Sequence, residues 1–249
     1  MESLALVIPC FNEADRFRSD VVLAYLATHP SVRLCLVDDG STDGTRRRLE
    51  AIREANAGQI RVLGLDANCG KAEAVRRGVT IMAAESQAGV IGYWDADLST
   101  PLDELETLLD VIRRDGECRL AMGVRLKRLG SRVERRASRH MLGRVFATAA
   151  ALVLGLPVYD SQCGAKLFRA DLVPVVFDEP FMSRWLFDVE ILARLRNRYG
   201  VDGVLRMVRE VPLGTWTDVP GSKVRFGHML RVPYEFLRIR RRYGRPAGR

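Results

Sequence analysis

Leu34-Cys35-Leu36-Val37-Asp38-Asp39-Gly40-Ser41-Thr42-Asp43-Gly44-Thr45 is an apolar run that stops on two acids, passes through small residues and enters a charged stretch of helical length. Asp, Ser and Thr are placed to cap that helix, and the glycines allow a tight turn, so the segment reads as a strand feeding a helix. Outward from it the same alternation repeats. Strands are expected at residues 4–8, 33–37, 61–64, 90–94 and 119–123, with helices near 19–28, 44–56, 71–84 and 102–114 between them. Such alternation predicts an α/β fold with a mainly parallel sheet flanked by helices. A less regular second half holds two more helical stretches, from about 136 to 154 and from 185 to 199.

The 249 residues, 47% of them apolar, suffice for one sizeable core. The expected organisation is a catalytic domain over 1–222 and a basic C-terminal segment over 223–249. The five cysteines are scattered and form no C-x-x-C pair, which argues against a disulfide framework or a zinc site and suits a reducing compartment. The first strand is preceded by no basic n-region, so no secretory signal is expected. The longest apolar run, 145–158, is shorter than the roughly 20 residues of a spanning helix. The expectation is a cytoplasmic chain, peripheral on the cytoplasmic face of a membrane. The net charge of +8 is concentrated in two places: nine Lys/Arg against one acid in 223–249, and eight against one in 125–144. Local clusters on an otherwise acidic body point to an anionic partner.

In a sheet of this kind ligands gather beyond the carboxyl ends of the strands, and the polar motifs fall there. Asp95-Ala96-Asp97 follows the fourth strand. Two carboxylates one residue apart can turn toward one hard cation that bridges a diphosphate, although alone the motif is weak and solvated loop acids account for most isolated D-x-D pairs. Asp39 at the end of the second strand can accept from a base N–H or a ribose hydroxyl. Asn68-Cys69-Gly70-Lys71 opens a helix, where free N–H groups and a lysine favour phosphate. No G-x-G-x-x-G follows the first strand, so a nicotinamide or flavin enzyme is poorly supported.

Taken in order, Val7-Ile8-Pro9-Cys10-Phe11-Asn12-Glu13, the 37–45 loop, Asn68 to Lys71 and Asp95-Ala96-Asp97 resemble the Rossmann-like GT-A core of family 2 glycosyltransferases. Asp160-Ser161-Gln162-Cys163-Gly164-Ala165-Lys166-Leu167-Phe168, Arg184-Trp185-Leu186-Phe187-Asp188-Val189-Glu190, and Trp216-Thr217-Asp218 ahead of Gly221-Ser222-Lys223 look like the dolichyl-phosphate β-glucosyltransferase, or polyprenyl-phosphate glycosyltransferase, branch of that family. The resemblance implies that Pro9, Asn12, Glu13 and Asp39 line a nucleoside pocket with Lys71 beside the base or ribose. It further implies that Asp95 approaches ribose and diphosphate, that Asp97 with Asp95 binds Mg²⁺ or Mn²⁺, and that Ser222 and Lys223 close over the diphosphate. Arg125 and Arg139 match positions that hold an acceptor phosphate, and Asp160 stands where a base is often placed, with orientation of Arg139 or of a sugar hydroxyl as its other role. Asp188 and Glu190 could face the site and touch donor sugar hydroxyls, while Trp185 and Phe187 are expected in the core.

The implied reaction moves a sugar, glucose by resemblance, from a nucleotide diphosphate donor such as UDP-glucose to a dolichyl or polyprenyl phosphate with inversion. Another reading is a family 2 transferase acting on a soluble or polysaccharide hydroxyl. A catalytically silent basic module that binds anionic membrane or nucleic acid is disfavoured by Asp39, Asp95 and Asp97 all standing at strand ends, and nucleic acid is not an expected partner. Val232, Phe236, Ile239 and Tyr243 recur at i, i+4, i+7 and i+11 among arginines, which suits a helix lying in the headgroups of an anionic membrane.

Overall fold

The computed structural model describes residues 3–134, 137–219 and 231–244, with the backbone alone for 137–140 and 142. Strand β1 (Leu4–Cys10) shows how the sheet is built: Leu4, Leu6 and Ile8 face one hydrophobic core while Ala5 and Val7 face another. Successive side chains on a strand point to opposite faces, and a strand apolar at every position must be covered on both. Helices α1 (Ser19–Thr28), α2 (Thr45–Ala55) and α4 (Glu104–Arg114) contribute to the first core, and α3 (Lys71–Glu85) to the second. In α4 the buried Leu105, Leu108, Leu109 and Ile112 form one stripe, with Glu104 and Glu106 in the first turn and Arg113 and Arg114 in the last. That charge order suits the helix dipole.

The seven-stranded sheet has the order β3-β2-β1-β4-β7-β5-β8, where β2 is Val32–Asp38, β3 Ile60–Gly64, β4 Val90–Trp94, β5 Leu120–Val124, β7 Ala165–Arg169 and β8 Val208–Pro212. All run parallel except β7, which pairs antiparallel with both β4 and β5. Its leading loop therefore opens at the edge where its parallel neighbours end. Short strands β6 (Arg132–Glu134) and β9 (Thr215–Thr217) make a separate parallel pair. The five expected strands are all present; β7 and β8 escape the sequence pattern because Lys166, Arg169, Arg209 and Glu210 interrupt their apolar runs.

The second half packs around α5 (Ala137–Leu154), a 3₁₀ turn (Ala170–Leu172) running into α6 (Val173–Val176), and α7 (Phe187–Met207). Helix α7 continues beyond the expected end at 199, through a kink at Gly200. Helix α8 (Val232–Tyr243) requires a correction: the face expected to lie in headgroups is docked on the protein instead. Phe236 and Ile239 are buried, Val232 and Tyr243 pack against the same core, and the Phe236 ring lies 5.2 Å from that of Phe146. Each buried side chain contributes about 1.5–3 kcal/mol, more than a headgroup layer offers a half-immersed one. Polar contacts fix the dock. The Ser183 hydroxyl accepts from the Leu186 N–H at 2.7 Å and donates to Glu235, and the Tyr243 hydroxyl donates to Glu190 at 3.0 Å.

Candidate active site

The carboxyl ends of β1, β2, β4 and β5 and the start of β7 border one open cleft of 1840 Å³. Pro9, Asn12, Glu13, Asp39, Lys71, Asp95, Asp97, Arg125, Asp160 and Asp188 all line it, so the structure gathers the described candidates from strands far apart in sequence. Ser222 and Lys223 lie outside the described residues, as does the side chain of Arg139.

At one end Asp39 organises the wall. Its carboxylate accepts from the Cys69 N–H at 2.8 Å, the Gly70 N–H at 2.9 Å and the Asn68 side-chain amide at 3.1 Å. Burial pushes the Asp39 carboxyl up, and those two backbone N–H groups work against that rise. The loop can make this turn because Gly70 has φ 92°, where a β-carbon is disfavoured. Asn12, just past β1, ties that strand end to the loop after β2: its side-chain oxygen accepts from the Thr42 N–H at 2.9 Å, and its own N–H donates to Ser41 Oγ at 3.0 Å. Glu13 receives a two-pronged contact from Arg16 at 3.0 Å for each bond. The acids of this rim thus build the pocket as well as face it.

At the centre Lys71 forms an ion pair with Asp95. Burial alone would raise the Asp95 carboxyl; Lys71, Arg125 and Lys166 outweigh it and hold Asp95 below the usual carboxylate range. Burial likewise opposes the charge of Lys71, but Asp95 and Asp188 raise its pKa. Asp97 differs. Burial and the adjacent Asp95 charge push its carboxyl up, while one of its oxygens accepts from the Ser99 N–H at 3.0 Å. Asp95 is seated against Gly164, where an added β-carbon would lie 1.9 Å from its Oδ2. Gly164→Ala is therefore expected to displace Asp95, cost about 1–3 kcal/mol in chemical denaturation, and lower turnover sharply. Normal turnover by that variant would show that the position of Asp95 is not needed.

The Asp95/Asp97 pair fits a hard divalent cation such as Mg²⁺ or Mn²⁺, because positive charge there would relieve the repulsion that raises Asp97. No cluster of three or more His, Cys, Asp or Glu able to hold a metal occurs among the described residues. The protein would contribute this pair of carboxylates, leaving the rest of the shell to water and ligand oxygens.

A buried network not foreseen as such supports the floor. The fully buried Lys166 ammonium donates to the Ser161 carbonyl at 2.9 Å, the Cys163 carbonyl at 2.6 Å and Asp188 Oδ1 at 2.6 Å, and the Tyr93 hydroxyl also donates to Asp188. Asp188 thus anchors the network from a site on the cleft wall. Glu190 needs correction: it does not face the cleft but is fully buried, holding Arg194 at 2.8 Å and the Met182 N–H at 2.9 Å. Trp185, expected in the core, lines the cleft with Phe146, their rings 5.5 Å apart.

Arg125 grips Asp160 through Nε and Nη2, both at 2.7 Å. Glu210 accepts from the backbone N–H groups of Tyr159 and Asp160 at 2.8 Å and so holds the loop from beneath. Burial pushes the Glu210 carboxyl up. Two buried polar atoms on this loop, Ser161 Oγ and Gln162 Nε2, have no hydrogen-bond partner among the described residues, and both residues line the cleft. Arg184 also lines the cleft, its side chain 3.0 Å from where a β-carbon on Gly70 would stand. Beyond the polar floor the wall turns apolar, with Val145, Phe146, Ala149 and Val153 of α5 opposite Val232 and Phe236 of α8. The sequence motifs contain Lys166, Ser161, Gln162 and Arg184, but only the antiparallel return of β7 reveals what they do.

Comparison with known proteins agrees with this geometry. The chain is 30% identical to the Mus musculus dolichyl-phosphate beta-glucosyltransferase, over 97% of this chain and 76% of that protein. It is 28% identical to a dolichyl-phosphate beta-glucosyltransferase of Trichomonas vaginalis, over 94% of this chain and 69% of the relative. The crystal structure of Mycobacterium tuberculosis glucosyl-3-phosphoglycerate synthase in complex with Mn²⁺ and UDP-glucose superposes with a TM-score of 0.70 at 19% identity, covering 99% of this chain and 81% of that one. That likeness shows the shared GT-A fold. The model of glycosyl transferase family 2 matches residues 5–177, which span the Asp39 rim, the Asp95/Asp97 pair and the Lys166 strand, and the chain belongs to that family of glycosyltransferases.

Proposed function

We propose that the chain transfers glucose from UDP-glucose to a dolichyl-type polyprenyl phosphate, with inversion, at the cytoplasmic face of an anionic membrane. The observation that carries this reading is a single cleft lined together by a cluster of carboxylates, the paired Arg125 and Asp160, and an apolar wall. A sugar nucleotide suits the first, a phosphate the second and an isoprenoid chain the last. The names of the relatives in mouse and Trichomonas support the same acceptor.

The roles follow from charge. A polyprenyl phosphate is largely ionised at neutral pH, so its oxygen can attack the anomeric carbon without prior deprotonation. Asp160 then serves to hold Arg125 rather than to act as a base, since both its oxygens face the guanidinium. A guanidinium has five N–H donors; with Arg139, Arg125 offers the remainder to the acceptor phosphate. Lys71, Arg184 and, from the undescribed segment, Ser222 and Lys223 receive the diphosphate. A bound Mg²⁺ or Mn²⁺ at Asp97 and Asp95 would supply further positive charge to the leaving group. Ser161 Oγ and Gln162 Nε2 offer hydrogen bonds to ligand hydroxyls. A single displacement needs no enzyme nucleophile, and burial pushes the nearby Cys163 thiol up to about 11, so it is neutral at pH 7. Displacement of an α-linked glucose gives a β-linked lipid phosphate.

Arg125→Ala tests the assignment. Loss of two charge-assisted hydrogen bonds to phosphate is expected to lower kcat/KM for the lipid phosphate by about 100-fold while the KM for UDP-glucose moves less than about threefold. Arg125→Lys should recover little, because an ammonium has no fork. Equal loss of donor affinity would place Arg125 on the diphosphate instead.

A further inference from the structure

Helix α5 is apolar around most of its circumference. Ala147, Ala150 and Leu154 are buried, Phe146, Ala149 and Val153 face the cleft, and Met141, Val145 and Leu152 stand 65%, 66% and 79% exposed. With Thr148, also exposed, those last residues sit at i, i+4, i+7 and i+11, so they make one continuous outward stripe. A helix apolar on every side is ordinarily covered on every side. Among the described residues no helix is long and apolar enough to cross a membrane, and none of them covers this outward face of α5. The stripe is continuous with the cleft, because Val145 belongs to both. Beside it α8, packed on α5 through Phe236 and Phe146, turns Tyr234 and Leu237 outward at 62% and 43% exposure, together with the exposed Arg238, Arg240 and Arg241. Apolar side chains next to exposed arginines match a bilayer interface carrying anionic lipid.

We infer that the outward stripe of α5, Met141, Val145 and Leu152, is the surface by which this enzyme rests on an anionic bilayer, with the arginines of α8 meeting the headgroups. The inference rests on the proposed lipid acceptor and adds the place of contact: the mouth of the apolar wall faces the membrane, and the acceptor enters without leaving an apolar environment. It also reassigns α8, whose inner face is used up by the core and whose outer face supplies charge.

The test uses the full chain and vesicles of phosphatidylcholine with phosphatidylserine, against phosphatidylcholine alone. Met141→Glu combined with Leu152→Glu, both at exposed positions outside the cleft lining, is expected to lower co-sedimentation with the mixed vesicles at least about tenfold. Transfer to a short-chain, water-soluble polyprenyl phosphate should be unchanged, while transfer to long-chain acceptor in vesicles should fall with binding. Arg238→Glu with Arg241→Glu should lower binding to the mixed vesicles and flatten its dependence on salt. Unaltered vesicle binding by the α5 variant overturns the inference, as does equal loss of short-chain transfer, which would place the stripe in the site's own structure. A dimer that the α5 variant dissociates, with vesicle binding intact, also overturns it by making the stripe a contact between copies. Vesicle binding is read without catalysis, so failure to use any lipid phosphate would count against the proposed acceptor and leave this surface to be judged separately.

Discussion

Asp97→Asn is expected to reduce transfer by about a thousandfold or more while leaving the fold intact. A cation held by Asp97 and Asp95 would offset charge that develops on the departing diphosphate, an effect of several kcal/mol. The asparagine keeps an oxygen to accept from the Ser99 N–H, now at 3.0 Å from the aspartate, so the local turn survives. The Asp97 carboxyl is raised in the folded state by burial and by Asp95, which means that its ionised form opposes folding at neutral pH. Removing the charge should therefore leave stability unchanged within about 0.5 kcal/mol, or slightly increase it. Steady-state transfer and a melting curve on the same preparation check both halves. Full activity in the variant, or in the native enzyme with chelator, removes the metal from the mechanism.

Lys166→Met carries the largest expected effect on stability. The substitution leaves the Asp188 carboxylate and the carbonyls of Ser161 and Cys163 buried without their ammonium partner. Breaking a buried pair from one side costs about 3–5 kcal/mol, a large part of the 5–15 kcal/mol that holds a typical domain. Asp188→Asn added to Lys166→Met should cost less than the sum of the two single changes, because it removes the uncompensated charge. Urea denaturation of the three variants measures this. A loss below about 1 kcal/mol for Lys166→Met would mean that the loop bearing Asp160 is held by other contacts.

These two residues also mark what the sequence makes legible. The place of Asp97 on the cleft is legible, since a D-x-D directly after an apolar strand marks a strand end, as do the Asp39 turn and the Asn68 to Lys71 helix start. The first five strands are legible for the same reason: their side chains are apolar on both faces. Lys166 is hidden because nothing in sequence marks a lysine whose ammonium is buried by residues 22 positions away. Strand β7 hides with it, its charged positions breaking the apolar run that identifies β1 and β4. Glu190 misleads in the opposite direction: it lies two residues from Asp188, yet on a helix that spacing turns it away from the cleft toward Arg194. Helix α8 misleads because the periodicity of an amphipathic face is identical for a helix docked on a core and one resting on lipid. Only Phe236 and Ile239 in contact with the core decide between them.

The central claim is that the acceptor is a lipid phosphate joined to glucose at the junction of the polar floor and the apolar wall. It is tested most directly by incubating the enzyme with radiolabelled UDP-glucose and metal, supplying either a short-chain polyprenyl phosphate or the matching free alcohol, and counting label in the organic phase. Label carried by the phosphate alone, in a β-linked product, and much less from other sugar nucleotides, is the predicted result. Equal transfer to the free alcohol, or donor hydrolysis with no label on the lipid phosphate, would contradict it.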